Sequence, residues 1–443
     1  MPDNAGSGRH KPTSLKGIAI TAVSNKQHRF RNLYGLLNRE LLYEGWKRLN
    51  KKAASGVDKV TAKEYSQNLF DNLSDLESRL KEKKYKAKLI RRSYIPKENG
   101  KQRPLGIPAL EDKIVQAACQ MILTAIYEEE FLNSSYGYRL RRGPEDAVSD
   151  LTFQLQYGVY GYVVEADVKG FFDNIDHEWL LEMLGLRIDD KAFLQLIRKW
   201  LKAGILMPEG EVIYPETGSP QGGLVSPILS NIYLHFVLDL WFEKVVKPQC
   251  RGEALLCRFA DDWVCAFRFQ EDAERFYRCL PERLRKFNLT LETTKSGILR
   301  FSRFHPNRKR RFTFLGFEFS WFPDRSGTPR VQRRTARKKL QAAEKRMKEW
   351  IKENRHLKVG DFFKALNIKL RGYYNYYGVR GNFDSLLRFH RHVRDLCFKW
   401  LNRRSQRRSY NGEGFKQMLK YVNMVMPRIT EKKRLHTVVL ERR

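Results

Sequence analysis

Acid is scarce in this sequence. The 443 residues carry 50 Asp+Glu against 84 Lys+Arg, a formal net charge of +34. A surplus of that size resists compaction unless a polyanion neutralises it, with nucleic acid the first candidate and an anionic membrane surface the second. Long apolar runs are missing too, and no uninterrupted stretch approaches the roughly 20 residues that span a bilayer. The opening MPDNAGSGRHKPTSLKG is polar and lacks the apolar core of a signal peptide. The six cysteines, at 119, 250, 257, 265, 279 and 397, show no C-x-x-C spacing, so neither a zinc knuckle nor a disulfide framework is indicated. What these absences leave is a reduced, intracellular protein, without a membrane partner, that handles nucleic acid.

The chain is 42% hydrophobic, enough for substantial cores, and its length suggests roughly two to four domains or subdomains. Residues 1–28 read as a weakly ordered basic lead-in. Helical periodicity runs from Arg29 to Tyr85, in LYGLLNRELLYEGWKRLNKK and LFDNLSDLESRLKEKKY. Two extended runs around Glu98-Asn99-Gly100 predict a hairpin. Helical blocks recur from about Glu111 to Phe131, in DDKAFLQLIRKWLKAG, and in SPILSNIYLHFVLDLWFEKVV, which reads as one long buried helix. GYVVEADV is a short strand ending in a carboxylate, and FTFLGFEFSWF is aromatic-rich and strand-like. After PDRSGTP the chain is expected to be helical to its end. An α+β centre with helical flanks results. From Ser326 to Arg443 there are 32 Lys+Arg against 9 Asp+Glu, a surplus of 23, which leaves only +11 for the preceding 325 residues. The expected organisation is a lead-in at 1–28, then 29–150, a central 151–325, and a basic helical module at 326–443.

Two adjacent aspartate pairs differ in their surroundings. Asp189-Asp190 immediately precedes a helical segment, where side-chain capping and the positive end of the helix dipole account for it. Asp261-Asp262, in ALLCRFADDWVCAFR, lies between two apolar runs of strand length, at or near a hairpin turn. No helix dipole helps there, so two readings stand: a solvated turn, or a site at which a cation offsets the repulsion. Asp167, ending the strand before VKGFFDNIDHEW, can meet that pair if its strand and the hairpin share a sheet. Three hard oxygen donors without His or Cys favour Mg²⁺ over zinc. Two such ions about 4 Å apart suit phosphoryl transfer to a 3′-hydroxyl.

Nine stretches, in order, resemble the reverse transcriptases of bacterial group II introns, over about residues 30–430. ASGVDKVTAKEY (54–65) is similar to the family's N-terminal segment, YIPKENGKQRPLGIP (94–108) to the fingers hairpin, and SSYGYRLRRGPEDAV (134–148) to the next block. EADVKGFFDNIDHEWL (165–180) resembles the first catalytic motif, and TGSPQGGLVSPILSNIYL (217–234) the motif supporting nucleotide and template. RFADDWV (258–264) stands where the family usually reads Y-A-D-D. TKSGI (294–298) and FTFLGFEF (312–319) resemble the motifs closing the palm, and LRGYYNYYG (370–378) the maturase thumb.

The resemblance implies a right-hand polymerase of fingers, palm and helical thumb. Its partners are an RNA template with a DNA primer, deoxynucleoside triphosphates and structured intron RNA, in the bacterial cytoplasm. It implies that Asp167, Asp261 and Asp262 ligate two Mg²⁺ ions, for which Mn²⁺ can substitute, with the Val168 carbonyl as a backbone ligand. Phe172 takes the place of the aromatic gate against a ribose 2′-hydroxyl, with Phe171 beside it; an ordinary core phenylalanine is the other reading. Lys97 and Arg103 resemble the fingers cations that hold the triphosphate. Gln221 would lie against the nucleotide, and Lys295 near the phosphates or on the plain surface. Arg139, Arg141 and Arg142 are template contacts in the family pattern, although YGYRLRRGPEDAV departs from it. Phe259 replaces the usual tyrosine of the catalytic motif and keeps its ring near the primer end. Arg333, Arg334, Arg337, Lys338 and Arg371 belong to the cationic thumb, where tyrosines 373, 374, 376 and 377 either stack on bases or pack between helices. No Cys/His-rich endonuclease module follows, so second-strand cleavage is not expected. Two alternatives stay open: a host role such as phage defence for the same polymerase, and a splicing cofactor with little polymerase activity.

Overall fold

Apolar side chains at three- and four-residue steps build the helices as the spacing predicts. The computed structural model describes residues 14–96, 102–220, 222–305, 307, 309–324, 326–404 and 409–431. Lys97, Gln221 and the turn at Glu98-Asn99-Gly100 lie outside them. Helix Arg39–Arg48 starts at Asn38, whose Oδ1 accepts from the Leu41 amide at 3.0 Å. That cap satisfies one of the donors left open at a helix start. Leu69–Lys81 buries Leu73, Leu76 and Leu80 along one stripe. Leu110–Tyr127 is buried along most of its length and packs against Arg39–Arg48. Asp190 caps Lys191–Leu201 by accepting from Phe193 N at 3.0 Å, while Asp189 pairs with Arg31 at 2.8 Å. Capping and pairing therefore account for that aspartate pair.

Two compact units are interleaved along the chain. One comprises Met1–Gly143, Ala166–Trp263 and Glu274–Gly297; the other comprises Pro144–Glu165, Val264–Ala273 and Ile298–Arg443. The strands are β1 (Ile90–Pro96), β2 (Gln102–Ile107), β3 (Tyr162–Ala166), β4 (Ile205–Leu206), β5 (Val212–Ile213), β6 (Ala254–Phe259), β7 (Asp262–Phe267), β8 (Gly297–Arg300), β9 (Arg311–Phe314), β10 (Phe317–Pro323) and β11 (Pro329–Thr335). Among the described residues they form three sheets, of order β2-β1-β4-β5, β6-β7-β3-β8 and β11-β10-β9. β1 and β2 are antiparallel, with Ile95 opposite Arg103.

Three expectations need correction. The lead-in at 1–28 contains a helix, Leu15–Ser24, because Ile18 and Ala22 are buried as it packs on Leu110–Tyr127. The chain after PDRSGTP is first a strand: β11 pairs with β10 over seven residues before helix Arg337–Asn354 begins. Asp324 accounts for the reversal, since its Oδ1 accepts from Ser326 N and Thr328 N, each at 3.0 Å. VQRRT then alternates inward and outward with the period of a strand. The hairpin so formed bridges the expected boundary at 325/326. Finally, SPILSNIYLHFVLDLWFEKVV is not one regular helix. It is α-helical over Ser226–Leu234 and then π-helical over His235–Asp239 and Phe242–Val246.

The basic C-terminal module has its own core. Helices Arg337–Asn354, Val359–Tyr377, Phe383–Leu401 and Gly412–Tyr421 enclose Leu340, Ile351, Phe362, Leu366, Leu370 and Val393. Tyr374 is fully buried there, its hydroxyl 3.0 Å from His390 Nδ1, and Tyr373 stacks on Phe389. Of the four tyrosines Tyr376 is 40% exposed, and its hydroxyl donates to Leu315 O at 3.0 Å. Packing between helices explains most of that aromatic cluster.

Candidate active site

β3 ends at Ala166, so Asp167 is the first residue past the strand. Its amide donates to Ser296 Oγ at 3.2 Å and its carbonyl accepts from Glu292 N at 2.7 Å, which fixes the backbone on both sides. Val168, buried, bridges to Leu291. β6 and β7 are joined by Ala260 and Asp261, with Asp262 exposed at the first position of β7. Ala260 has φ +56°, the left-handed region, which costs a residue with a Cβ about 1–2 kcal/mol. β7 lies next to β3 in the sheet, and the aspartates emerge where the two strands leave it.

The Asp167 charge reaches Asp261. Burial pushes the Asp261 carboxyl above the usual carboxylate range, and the charge of Asp167 adds to the push. Its own backbone amide, Arg103 and Arg258 hold it back. Lys295 Nζ donates to Asp167 Oδ2 at 2.5 Å, and that carboxylate raises the lysine pKa. Arg103, exposed on β2, acts on both Asp261 and Tyr138. Tyr138 has φ +58° and is 54% exposed. Partial burial raises its phenol, and the Asp261 charge raises it further.

Among the described residues, no three His, Cys, Asp or Glu side chains gather into a group able to hold a metal unaided. The donor set nevertheless fits Mg²⁺. That ion is commonly held by one or two carboxylates and completes its shell with substrate phosphates and water, not an all-protein cage. Asp167, Asp261 and Asp262 offer only hard oxygens, and the Asp167 charge acts on Asp261, so the donor set would suit such an ion and not zinc.

Phe171 is buried with its ring 5.3 Å from Phe172 and 6.5 Å from Tyr233, centroid to centroid. Phe172 is half-buried, and its carbonyl accepts from Ser219 N at 2.8 Å. That bond holds Ser219 beside it. Gly222, at φ +120°, comes so close to the Gly106 carbonyl on β2 that a Cβ would collide with it.

Arginines of the 134–148 block separate into two kinds. Arg139 is buried and turned inward, donating to Glu128 Oε1 at 2.8 Å, Leu132 O at 2.7 Å and Ser135 O at 2.9 Å. It holds its own loop together, so its expected role as a template contact is withdrawn. Arg142 donates to Asn133 O and Oδ1 from a half-buried position, and Arg141 is exposed. In the second unit Arg333 is likewise buried and paired with Glu431 at 2.6 Å, which withdraws it as a nucleic-acid contact. Arg334, Arg337, Lys338 and Arg371 are exposed.

Residues 95–319 match the family described as reverse transcriptase (RNA-dependent DNA polymerase). The chain belongs to the reverse transcriptase family. Its fold class is accordingly α+β, a right-hand polymerase followed by a helical maturase region, and residues 340–421 match the group II intron maturase-specific domain. Group II intron-encoded protein LtrA of Lactococcus lactis subsp. cremoris is 39% identical over 241 residues, covering 52% of this chain and 39% of that protein. Protein YkfC of Escherichia coli (strain K12) is 36% identical over 239 residues, covering 47% and 62%. Nuclear intron maturase 4, mitochondrial, of Arabidopsis thaliana is 26% identical over 151 residues, covering 34% and 18%. The chain thus spans less than two thirds of each of these relatives. No helix among the described residues is long and apolar enough to cross a membrane.

Tyr138 and Arg258 also lie within electrostatic reach of Asp261, and Arg258 pairs with Asp239. Two of the three carry a signal in the sequence: Arg258 is a single cation inside the apolar run ALLCRF, and Asp239 a single acid inside HFVLDLWF. Tyr138, between glycine and arginine, carries none.

Proposed function

We propose that this reverse transcriptase is an RNA-directed DNA polymerase that extends a DNA primer on an RNA template by two-metal-ion nucleotidyl transfer. We propose further that it binds its intron RNA to assist splicing and retromobility, in the bacterial cytoplasm. The observation that carries the reading is the placement of Asp167 at the end of β3 and of Asp261-Asp262 at the start of the neighbouring β7, in a chain with a surplus of 34 positive charges.

In this reading Asp167, Asp261 and Asp262 would hold Mg²⁺, which would supply activation of the primer 3′-hydroxyl and charge stabilisation at the leaving pyrophosphate. Arg103 faces the triphosphate as a planar fork, with Lys97 as its point-charge companion. Phe172 bounds the sugar pocket, with Phe171 supporting it from the core, and Gln221 lies against the base pair. Lys295 lends positive charge to Asp167 before the substrate arrives and to the phosphates afterwards. The N-terminal extension and fingers at 29–150, the palm at 151–325 and the thumb at 326–443 are the proposed functional division, with the β10–β11 hairpin crossing the last boundary. Arg334, Arg337, Lys338 and Arg371 would grip duplex backbone or intron RNA, so binding should weaken steeply as salt rises.

The test is Mg²⁺-dependent extension of a DNA primer on matched RNA and DNA templates, alongside sequencing of RNA that copurifies with the chain. Extension on RNA and recovery of a structured intron support the two halves of the reading separately. A purified, folded chain that extends neither template removes the first.

A further inference from the structure

Behind the aspartate turn lies a closed polar ring that the chemistry above does not use. Arg258, on β6, is fully buried, and so is Asp239. The guanidinium makes all five of its possible donations. Nε donates to Asp239 Oδ1 at 2.7 Å, and Nη2 donates to Asp239 Oδ2 at 2.6 Å and to Ser135 Oγ at 2.8 Å. Nη1 donates to Asn231 Oδ1 and to the Ala260 carbonyl, each at 3.0 Å. Asn231 in turn donates through Nδ2 to the Gly137 carbonyl at 2.6 Å. Gly137 packs directly on the turn, where a Cβ would collide with the Ala260 nitrogen. The backbone closes the ring: Arg258 N donates to Ser134 O, and Tyr136 N donates to Arg258 O, both at 2.8 Å.

Ala260 is the residue that this ring grips, and it is the one held at positive φ directly before Asp261. A residue with a Cβ stays in that conformation only when its surroundings over-determine it. Asp239 sits on the π-helical turn His235–Asp239, a rare local geometry that redirects side chains. Asn231 lies on the α-helical stretch just before it. We propose that Arg258 is a positioning residue for the polymerase centre: with Asp239 and Asn231 it locks the Ala260 turn from behind and so sets where the Asp261 and Asp262 carboxylates stand. The inference rests on the polymerase reading for its catalytic consequence, but the locking itself does not.

Arg258→Lys tests the lock, because a lysine keeps a charge for Asp239 but cannot reach five acceptors in a fork. The expected result is a folded protein whose kcat for primer extension falls by about 100-fold, the effect of a misplacement near 1 Å. KM for the nucleotide and affinity for primer–template should stay within about threefold. Mn²⁺ binding to primer–template complexes, counted by electron paramagnetic resonance, should weaken. Leu76→Ala, a cavity in the core of the same unit, gives the kcat change caused by lost stability alone. A folded Arg258→Lys that retains kcat, or loses no more than Leu76→Ala does at matched Tm, overturns the proposal. If Arg258→Lys does not fold, Arg258→Met/Asp239→Leu removes the pair without stranding a buried charge; full kcat in that variant overturns the proposal equally. Hydrogen exchange on the wild-type chain decides independently of activity. The Arg258 and Tyr136 amides, which are the backbone donors of the ring, should exchange as slowly as the other amides of β6 and β7, and exchange at the rate of an exposed loop overturns the lock. Failure of the polymerase reading is seen separately, as absence of extension by the wild type.

Discussion

Lys295 Nζ stands 2.5 Å from Asp167 Oδ2, so the carboxylate proposed as the first metal ligand already holds a cation supplied by the chain. The lysine side chain is 66% exposed, which limits the strength of the pair. Any divalent ion reaching Asp167 has to displace or share that contact. Lys295→Ala should therefore tighten Mn²⁺ binding to the primer–template complex by about two- to fivefold, the worth of an exposed ion pair, while KM for the nucleotide rises. Electron paramagnetic resonance titration reads the first effect and steady-state kinetics the second. Unchanged metal affinity would remove Lys295 from the metal's immediate surroundings.

The inward turn of Arg139 and the exposure of Arg141 make opposite predictions for two neighbouring arginines. Arg139→Ala should destabilise its unit by about 3 kcal/mol, since it strips a buried cation from Glu128 and two carbonyls. The salt dependence of nucleic-acid binding should not change with it. Arg141→Ala should leave Tm within about 1 °C and lower the slope of log K against log salt by about one unit if it meets a phosphate. Thermal denaturation and binding titrations across salt distinguish the two.

Phe172 is half-buried, with its ring against Phe171 and its carbonyl bonded to Ser219 N, so the backbone holds the ring in place. Phe172→Ala opens space without disturbing that bond. Discrimination against ribonucleotides, taken as the ratio of kcat/KM values, should fall by about 10- to 100-fold. An unchanged ratio would return Phe172 to the role of an ordinary packing residue.

Asp112 makes stability depend on pH. Buried in helix Leu110–Tyr127, it accepts from the Tyr85 hydroxyl and from Lys88 N, yet burial raises its pKa to about 6. The folded state therefore binds a proton more tightly than the unfolded chain. Its stabilising contribution is full below pH 4 and is lost as pH rises through about 6, amounting to about 3 kcal/mol. Relative to Asp112→Asn, the wild type should gain Tm between pH 7 and pH 5. A Tm difference that is flat over that range contradicts the assignment.

Local signals carried far in this chain, and non-local ones did not. Asp190 as a cap, the helix stripe of Leu73, Leu76 and Leu80, and the hairpin around Asp261-Asp262 all follow from spacing within a dozen residues. The strand Pro329–Thr335 was legible in the alternation of VQRRT, but the basic run that follows masked it. Charge alone could not distinguish exposed Arg334 from buried Arg333, because the partner of Arg333, Glu431, lies 98 residues away. Similarly, Arg258 finds Ser135 across 123 residues, and no periodicity announces such a contact. The helix that apolar spacing reads over SPILSNIYLHFVLDLWFEKVV is continuous, but that spacing carries no signal for its π-helical turn at His235–Asp239.

Primer extension with the aspartate variants tests the central claim most directly. On an RNA template with Mg²⁺, Asp261→Ala and Asp262→Ala should each lower kcat by at least about 1000-fold, equivalent to roughly 4 kcal/mol of transition-state stabilisation. Affinity for the primer–template should stay within about threefold, because the basic surface that binds it is untouched. Undiminished extension by Asp261→Ala would contradict the account, whatever the other residues do.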